Sequence, residues 1–272
     1  WSTGVIPSAA DDVIIADVTR EPSLSADTDI NSLTIATNAV LNLAGYDLNL
    51  SSTNFSNDGT LRLEGSEVLT GFTNDTDSGT VDYTGNGIYP LLAFGDSYYN
   101  LIISGDGSFT VASLTLAINN DFTQSGDGTF VAPTGSIIVS GDFNHTGGTF
   151  DPNNGTVVFV DATQASNITG ETTFYNLTCI TDNKTLIFAE RKTQAIINDL
   201  VLTGSSGNEI ILRSSVDGIQ WKIDPQGAID VSFVDVKDSN NISSTLVNPD
   251  NSIDSGNNTN WFPVSAKEPV WD

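Results

Sequence analysis

The residues best suited to chemistry in this sequence are aspartates in short polar turns. The run NDTDSG places Asp75 and Asp77 close together, which is the opening spacing of a calcium-binding loop without its closing Glu. The similar turns SGDGSF and SGDGTF each carry one aspartate, Asp106 and Asp127. If these turns stack, their carboxylates repel, and a hard cation with oxygen ligands would relieve the repulsion. The sequence therefore predicts candidate calcium positions, and the alternative is that the aspartates shape their own turns.

A catalytic set is harder to assemble from this sequence. The one histidine, His145, lies in NHTGG, which we interpret as an exposed turn, and no Lys or Arg occurs between Arg62 and Lys184. Ser-His-Asp and Cys-His catalytic sets need a histidine held beside the nucleophile, and a single histidine in a turn does not supply it. Hydrolysis of sugars needs two carboxylates at a defined separation, which a sequence cannot fix. We therefore predict a protein that is not an enzyme.

Sugar binding is the alternative chemistry, centred on the region from Lys184 to Lys222, where basic residues are concentrated. There Trp221 offers an aromatic face on which a sugar ring can stack. Arg213 and Lys222 are the nearby cations. The competing interpretation is that the tryptophan covers the core. This alternative predicts a carbohydrate-binding or polysaccharide-cleaving protein whose partners are cell-surface glycans.

Charge and composition exclude several partners. The net charge of -25, from 34 acidic and 9 basic residues, argues against nucleic acid and anionic membrane surfaces. The sequence has no apolar run long enough to predict a membrane span. The single cysteine, Cys179, excludes an internal disulfide and lies in the alternating run NLTCI, as a small buried residue would. Abundant Asn, Ser, Thr, Gly and Asp, and a start at Trp1 rather than Met, favour a processed extracellular protein.

The sequence repeats itself at fixed spacings. GTVDY, which begins at Gly79, and the YYNLI that follows it recur with the same separation as GTVVF, which begins at Gly155, and FYNLT. SGDGSF likewise recurs as SGDGTF. Runs such as SIIVSG and TVVFV alternate with the period of two that marks half-buried strands, and turns such as GDG, NNG and TGG, whose residues tolerate positive φ, separate them. The prediction is an all-β fold, a parallel β-helix (β-solenoid) with about 20 residues per coil.

Registration between coils explains why the spacing is kept. A slip of one residue would turn the whole inward set of a strand towards solvent. The aromatic pairs Tyr98–Tyr99 and Phe174–Tyr175 occupy equivalent coil positions and are expected to pack. The predicted inward rungs are Leu114 and Leu116, Ile137 and Val139, Val157 and Phe159, and Leu177 and Cys179.

The pattern G-T-[VL]-x-[FY], then [FY]-Y-N-L-x-I, then DF and GGTF resembles the right-handed parallel β-helix repeats of bacterial cell-surface, adhesin-like proteins. The stretch from NEIILRSSVDGIQWKID to NWFP is similar to the segment that ends many such arrays. Together these stretches cover roughly residues 30–262. The resemblance implies a right-handed β-helix in an exported or surface-displayed scaffold. We expect residues 1–30 to form an N-terminal cap or first coil, 31–262 a continuous β-helix, and 263–272 a C-terminal tail or cap.

The ends of such an array carry open strand edges that recruit another chain unless they are covered. Terminal segments either cap their own coil or add to the edge of a second copy in a head-to-tail filament. The residues assigned to capping or assembly are Trp1, Val5, Ile6, Trp261, Phe262 and Trp271. The function predicted is a non-enzymatic, extracellular structural or adhesive β-helix whose partner is itself or a glycan, with calcium as the one cofactor considered.

Overall fold

A computed structural model describes residues 6–263 of the chain. The chain forms two compact units, Trp1–Phe159 and Val160–Asp272. Over the described range all regular elements are β-strands, and no helix suited to crossing a membrane occurs there. The capping or assembly predictions for Trp1, Val5 and Trp271 lie outside the described residues. The predicted parallel β-solenoid is confirmed, with about 12 turns.

The first unit stacks its strands in parallel at a nearly constant spacing along the sequence: Asp12 pairs with Ser32, Leu33 with Phe55 and Leu101 with Phe122. Its strands are β1 (Asp12–Ile15), β2 (Thr28–Ile30), β3 (Ser32–Ile35), β4 (Val40–Asn42), β5 (Leu48–Leu50), β6 (Phe55–Asn57), β7 (Thr60–Leu63), β8 (Leu69–Thr70), β9 (Thr80–Tyr83), β10 (Ile88–Tyr89), β11 (Ser97–Tyr98), β12 (Asn100–Ile103), β13 (Ser108–Thr110), β14 (Thr115–Ile118), β15 (Phe122–Gln124), β16 (Thr129–Val131), β17 (Ser136–Val139), β18 (Phe143–His145), β19 (Thr149–Asp151) and β20 (Thr156–Phe159).

Successive strands of one coil belong to different sheets, so the sheets run along the solenoid. Within the first unit the sheet orders are β1-β3-β6, β2-β5-β8, β4-β7-β9-β12-β15-β18, β10-β13-β16-β19 and β11-β14-β17-β20. Neighbouring strands in these sheets pair in parallel. Short turns join the strands because each coil must return to the same register one level up.

The second unit uses the same parallel stacking with less regular coils. Its strands are β21 (Ser166–Thr169), β22 (Thr172–Phe174), β23 (Asn176–Cys179), β24 (Thr185–Phe188), β25 (Thr193–Ile196), β26 (Asp199–Thr203), β27 (Ile210–Ser214), β28 (Trp221–Pro225), β29 (Ala228–Ser232), β30 (Val234–Val236), β31 (Ser239–Asn241) and β32 (Ile253–Asp254). They form the orders β21-β24-β27-β30-β32, β22-β25-β28-β31 and β23-β26-β29. Asp199 pairs with the distant Ala228, whereas Trp221 pairs with the much nearer Ser239, so the single period predicted for every coil is too uniform here.

The core is a ladder of inward side chains that alternate with outward polar ones. Leu116 of β14 pairs with Ile137 of β17, and Ile137 pairs with Val157 of β20; all three are buried. The prediction of Leu114 as an inward rung is wrong, because 72% of its surface is exposed. It precedes β14 and lies in the turn, where the alternation of a strand does not apply.

Other inward predictions are confirmed. Tyr98 and Phe174 are buried, as expected for aromatic packing, and so is Cys179. Burial raises the pKa of the Cys179 thiol, which keeps it protonated and unreactive. The prediction that His145 lies in an exposed turn is wrong, because it ends β18 opposite Gln124 and is half-buried.

The SGDG turns stack backbone on backbone. A Cβ added to Gly128 would lie 2.1 Å from the carbonyl oxygen of Gly107, and one added to Gly107 would lie 2.5 Å from that of Gly87. Neither Gly107 nor Gly128 has positive φ. These glycines are therefore required by the close approach of the preceding coil, which corrects the interpretation of GDG as a positive-φ turn. Asn153, Asn154 and Gly148, in NNG and TGG, do have positive φ.

Candidate binding groove

The first unit carries a lateral groove where one sheet is interrupted. β6 is the last strand of the order β1-β3-β6, and β11 is the first of β11-β14-β17-β20. Residues 73–77 lie between these two strands without forming a strand themselves. Asp75 accepts a hydrogen bond from the Asn57 amide of β6 at 2.7 Å, and Asn74 donates its side-chain amide to the Ser97 carbonyl of β11 at 2.6 Å. A loop thus occupies the level of a missing strand.

Side chains around this loop replace the ladder hydrogen bonds that a strand would make. The Ser78 hydroxyl donates to the Asn57 carbonyl, and the Asn119 side chain donates to the Thr76 carbonyl at 2.8 Å. Gly71 and Gly79, with φ of 79° and 69°, stand on either side of the loop and supply the left-handed conformation that diverts the chain. Alternation fails in this segment because the backbone leaves the sheet.

An aromatic cluster packs beneath the loop. Phe55 contacts Phe72 and Phe94 edge to face, at centroid distances of 4.9 and 5.5 Å. The buried Tyr83 hydroxyl accepts the Phe94 backbone amide and lies 3.0 Å from the hydroxyl of Tyr98. Tyr98 donates to the Gly95 carbonyl, so the proton between the two tyrosines comes from Tyr83. This satisfied buried network holds Phe94, which packs against Phe55 of the groove lining.

The groove itself has a volume of about 580 Å³, within the range of small-ligand sites. Residues of β3, residues 53–56 at the start of β6 and the loop line it, and among these described residues no Lys or Arg is present. Thr34 and Ser56 are register partners on the floor, and Asn54 is at the rim. The side chains of these three residues make no hydrogen bond to other described residues, which leaves them available to water or a ligand.

The ionised form of Asp75 is disfavoured in the groove. Partial burial raises the pKa of Asp75, and the neighbouring Asp77 raises it further, while the Asn57 amide opposes the shift. Two adjacent carboxylates that lack a cationic neighbour favour a nearby hydroxyl donor. The site is therefore built to accept hydrogen bonds.

We predict that Asp75→Asn stabilises the protein at neutral pH. The pKa of Asp75 is higher in the folded protein than its ordinary value of 3.8. The protonated carboxyl therefore contributes its full stability below pH 3.8, and this contribution is lost as the pH rises through the folded-state pKa. Asparagine stays neutral and its carbonyl can still accept the Asn57 amide. The gain should be under about 1 kcal/mol at pH 7, because solvent screens the site, and should vanish at pH 3. Urea unfolding at both pH values measures it.

The matched control for this prediction is Asp58→Asn. Asp58 is exposed and does not line the groove, so the same loss of charge should change stability by less than about 0.5 kcal/mol. A loss of stability in Asp75→Asn at pH 7 would mean that the hydrogen bond to Asn57 outweighs the cost of ionising Asp75.

The predicted calcium positions fall in two separate places. Asp75 and Asp77 share the groove loop, whereas Asp106 and Asp127 lie in stacked turns, as expected. The Asp127 amide donates to the Asp106 carboxylate at 3.1 Å, so Asp106 holds the neighbouring turn. Over residues 6–263 no group of three or more acidic, His or Cys side chains is placed to hold a metal ion. Calcium binding stays a prediction.

The predicted sugar platform is wrong for Trp221. Its side chain is fully buried, stacks on Phe188 at 3.8 Å and meets Trp261 edge to face at 6.1 Å. Trp221 starts β28 in the inward phase, which it shares with Ile223. A residue in that phase belongs to the core, so the ring cannot reach a sugar.

The two cations near Trp221 are outward and differ in their contacts. Arg213 donates to the Asp235 carboxylate at 2.6 Å and to the Asp235 carbonyl at 2.8 Å. Partial burial opposes ionisation of Asp235, but hydrogen bonds from Arg213 and Ser255 outweigh it and hold the pKa of Asp235 below its usual value. Arg213 is thus engaged within the protein. Lys222 is half-buried on β28, and its role in binding a glycan stays a prediction.

The described residues assigned to the ends have different environments. Ile6 is 70% exposed and lines a groove of about 900 Å³ together with Ile14 of β1. Trp261 is fully buried against Trp221, and Phe262 is half-buried; their role in capping or assembly stays a prediction. Ile6 therefore remains available for contact, while Trp261 belongs to the core of the second unit.

The groove floor was not identified from the sequence. Thr34, Asn54 and Ser56 look like ordinary outward strand residues, because nothing local distinguishes them from other outward Thr, Asn and Ser. The available signal is a gap in the repeat: NDTDSG carries no alternating apolar run where a strand would be expected. The prediction for that segment rests on its carboxylates alone.

No family model, curated protein or solved structure was found to match the chain. The fold and the site define a class of protein on their own: a parallel β-solenoid with a polar lateral groove whose described lining residues include no Lys or Arg.

Proposed function

We propose that the chain is a non-enzymatic, extracellular β-solenoid that acts as a structural or adhesive module of the bacterial surface type, and that its copies associate head to tail. The observation that carries the proposal is the sustained use of parallel, register-matched strands in each unit. Such ladders resist extension because many backbone hydrogen bonds must break together. Function of this kind depends on shape and surface rather than on a catalytic set.

The acidic surface supports the extracellular, scaffold role. Residues 1–159 contain 19 acidic and 2 basic residues, and residues 160–272 contain 15 and 7. Charge of one sign keeps the lateral faces of neighbouring molecules apart and the protein in solution. Association is then favoured where the surface is apolar and backbone groups are unpaired.

The first strand supplies such a surface. β1 has one strand neighbour among the described residues, β3, so its other edge presents unpaired backbone groups. Ile14 of β1 is 73% exposed, and Ile6 and Val18 beside it are 70% and 50% exposed. An edge of this kind accepts a strand from a second copy by β-augmentation.

We predict that the full chain associates as its concentration rises and that Ile14→Lys weakens this association at least tenfold. A charge on an edge strand opposes pairing with a second chain. Analytical ultracentrifugation gives the association constant, and electron microscopy shows whether the particles join end to end.

The matched control is Thr123→Lys, which adds the same charge to an outward position in the middle of a sheet, on β15. It should leave the association unchanged. Head-to-tail association through β1 would be contradicted if the parent chain stays monomeric at high concentration. It would also be contradicted if both lysine substitutions weaken association equally.

A further inference from the structure

We propose that the groove formed by β3, β6 and residues 73–77 binds a neutral oligosaccharide. The proposal concerns a ligand site on the first unit and does not depend on association between copies. Its starting point is the interruption of the sheet, where a loop held by Asp75 and Asn74 replaces a strand and opens the groove.

The lining matches the hydrogen-bonding needs of a sugar. Hydroxyls of Thr34 and Ser56 and the amide of Asn54 both donate and accept. Asp77 is exposed at the groove and offers carboxylate oxygens that accept bonds from sugar hydroxyls, which are charge-assisted and therefore strong. The half-buried Phe55 adds an apolar surface to the lining. A few polar groups on a mixed surface are typical of a small-ligand site.

The charge of the groove selects among saccharides. It contains Asp75 and Asp77, and no described lining residue is a cation. A uronic acid would bring a third carboxylate to this pair without a counter-charge, which costs free energy. A neutral sugar instead donates hydroxyl hydrogens to the carboxylates. Selectivity against acidic polysaccharides therefore follows from the lining.

A sugar fits this lining better than a metal ion does. Calcium takes six to eight oxygen ligands, mostly from carboxylates and carbonyls. Here two carboxylates are present, and one of them, Asp75, already accepts backbone amides from Asn57 and Asp77. The other polar side chains of the lining are hydroxyls and amides distributed over β3, the start of β6 and the loop, an arrangement suited to an elongated ligand.

The test is isothermal titration calorimetry of the full chain with neutral hexasaccharides of glucose, xylose, mannose and N-acetylglucosamine, and with hexagalacturonate. We expect at least one neutral probe to bind and hexagalacturonate not to bind. Asp77→Ala and Asn54→Ala should each weaken the binding at least tenfold. Both residues are exposed, so circular dichroism should show unchanged folding.

The matched control is Asp58→Ala, which removes an exposed carboxylate outside the groove and should leave the affinity unchanged. Failure of every neutral probe to bind at millimolar concentration would overturn the proposal. So would equal binding of hexagalacturonate, or binding that survives both groove variants. Binding of Ca²⁺ alone, abolished by Asp77→Ala and unaccompanied by sugar binding, would replace it with a cation site.

Discussion

Replacing Trp221 with alanine is expected to lower the free energy of unfolding of the second unit by about 3–5 kcal/mol. The side chain is fully buried between Phe188, on which it stacks, and Trp261. Alanine would leave a cavity that the rigid coils cannot close, because each strand is held in register by its neighbours on both sides. Urea unfolding followed by far-ultraviolet circular dichroism measures the loss.

Two companion variants make this prediction specific. Trp221→Phe should cost less than about 2 kcal/mol, since it keeps a ring on Phe188 and removes an indole N–H that has no partner among the described residues. Lys222→Ala changes the neighbouring outward residue and should cost less than about 0.5 kcal/mol. A small loss for Trp221→Ala would restore the interpretation of Trp221 as an exposed platform.

Gly128→Ala is expected to destabilise the first unit by about 3 kcal/mol, at the upper end of the usual cost of overpacking. The new Cβ would lie 2.1 Å from the Gly107 carbonyl oxygen and 2.8 Å from that of Gly105, both of which are backbone atoms of the coil below. Neither atom can move without breaking the register of its own turn. Urea unfolding is again the measurement.

Gly207→Ala is the matched control for this substitution. Nothing lies within 4 Å of a Cβ at Gly207, but its φ of 80° is unfavourable for alanine, so the expected cost is about 1–2 kcal/mol. The comparison separates the steric cost of stacked turns from the conformational cost of a left-handed residue. If Gly128→Ala costs no more than Gly207→Ala, stacking does not explain the SGDG glycines.

Much of the fold could be predicted because each repeat of the sequence corresponds to one coil of the solenoid. Alternation in runs such as SIIVSG identifies inward residues within a strand, and Ile137 and Val139 are buried as expected. The prediction fails at strand boundaries, where Leu114 continues the alternation in sequence but lies in a turn. It also fails for coil length in the second unit, since the long coil that pairs Asp199 with Ala228 departs from the repeat.

The candidate groove could be predicted only in part. The charges of Asp75 and Asp77 mark the loop, yet the groove also depends on Thr34 and Ser56, which lie on two earlier coils of the chain. The repeat of about 20 residues places β3, β6 and the loop on successive coils, but it does not show the groove. The groove forms because the backbone of the third coil leaves the sheet at residues 73–77, which only the stacked structure shows.

The amino-acid sequence by itself determines the class of fold. Strict alternation within strands gives each strand one apolar face, and a repeat of about 20 residues buries these faces when the coils stack in parallel. The roles of individual residues are set by packing between coils. Trp221 is a core residue because of the phase of β28, and Gly128 is a glycine because Gly107 lies directly below it. Both contacts join different coils, and the positions of neighbouring coils are fixed only when the strands stack.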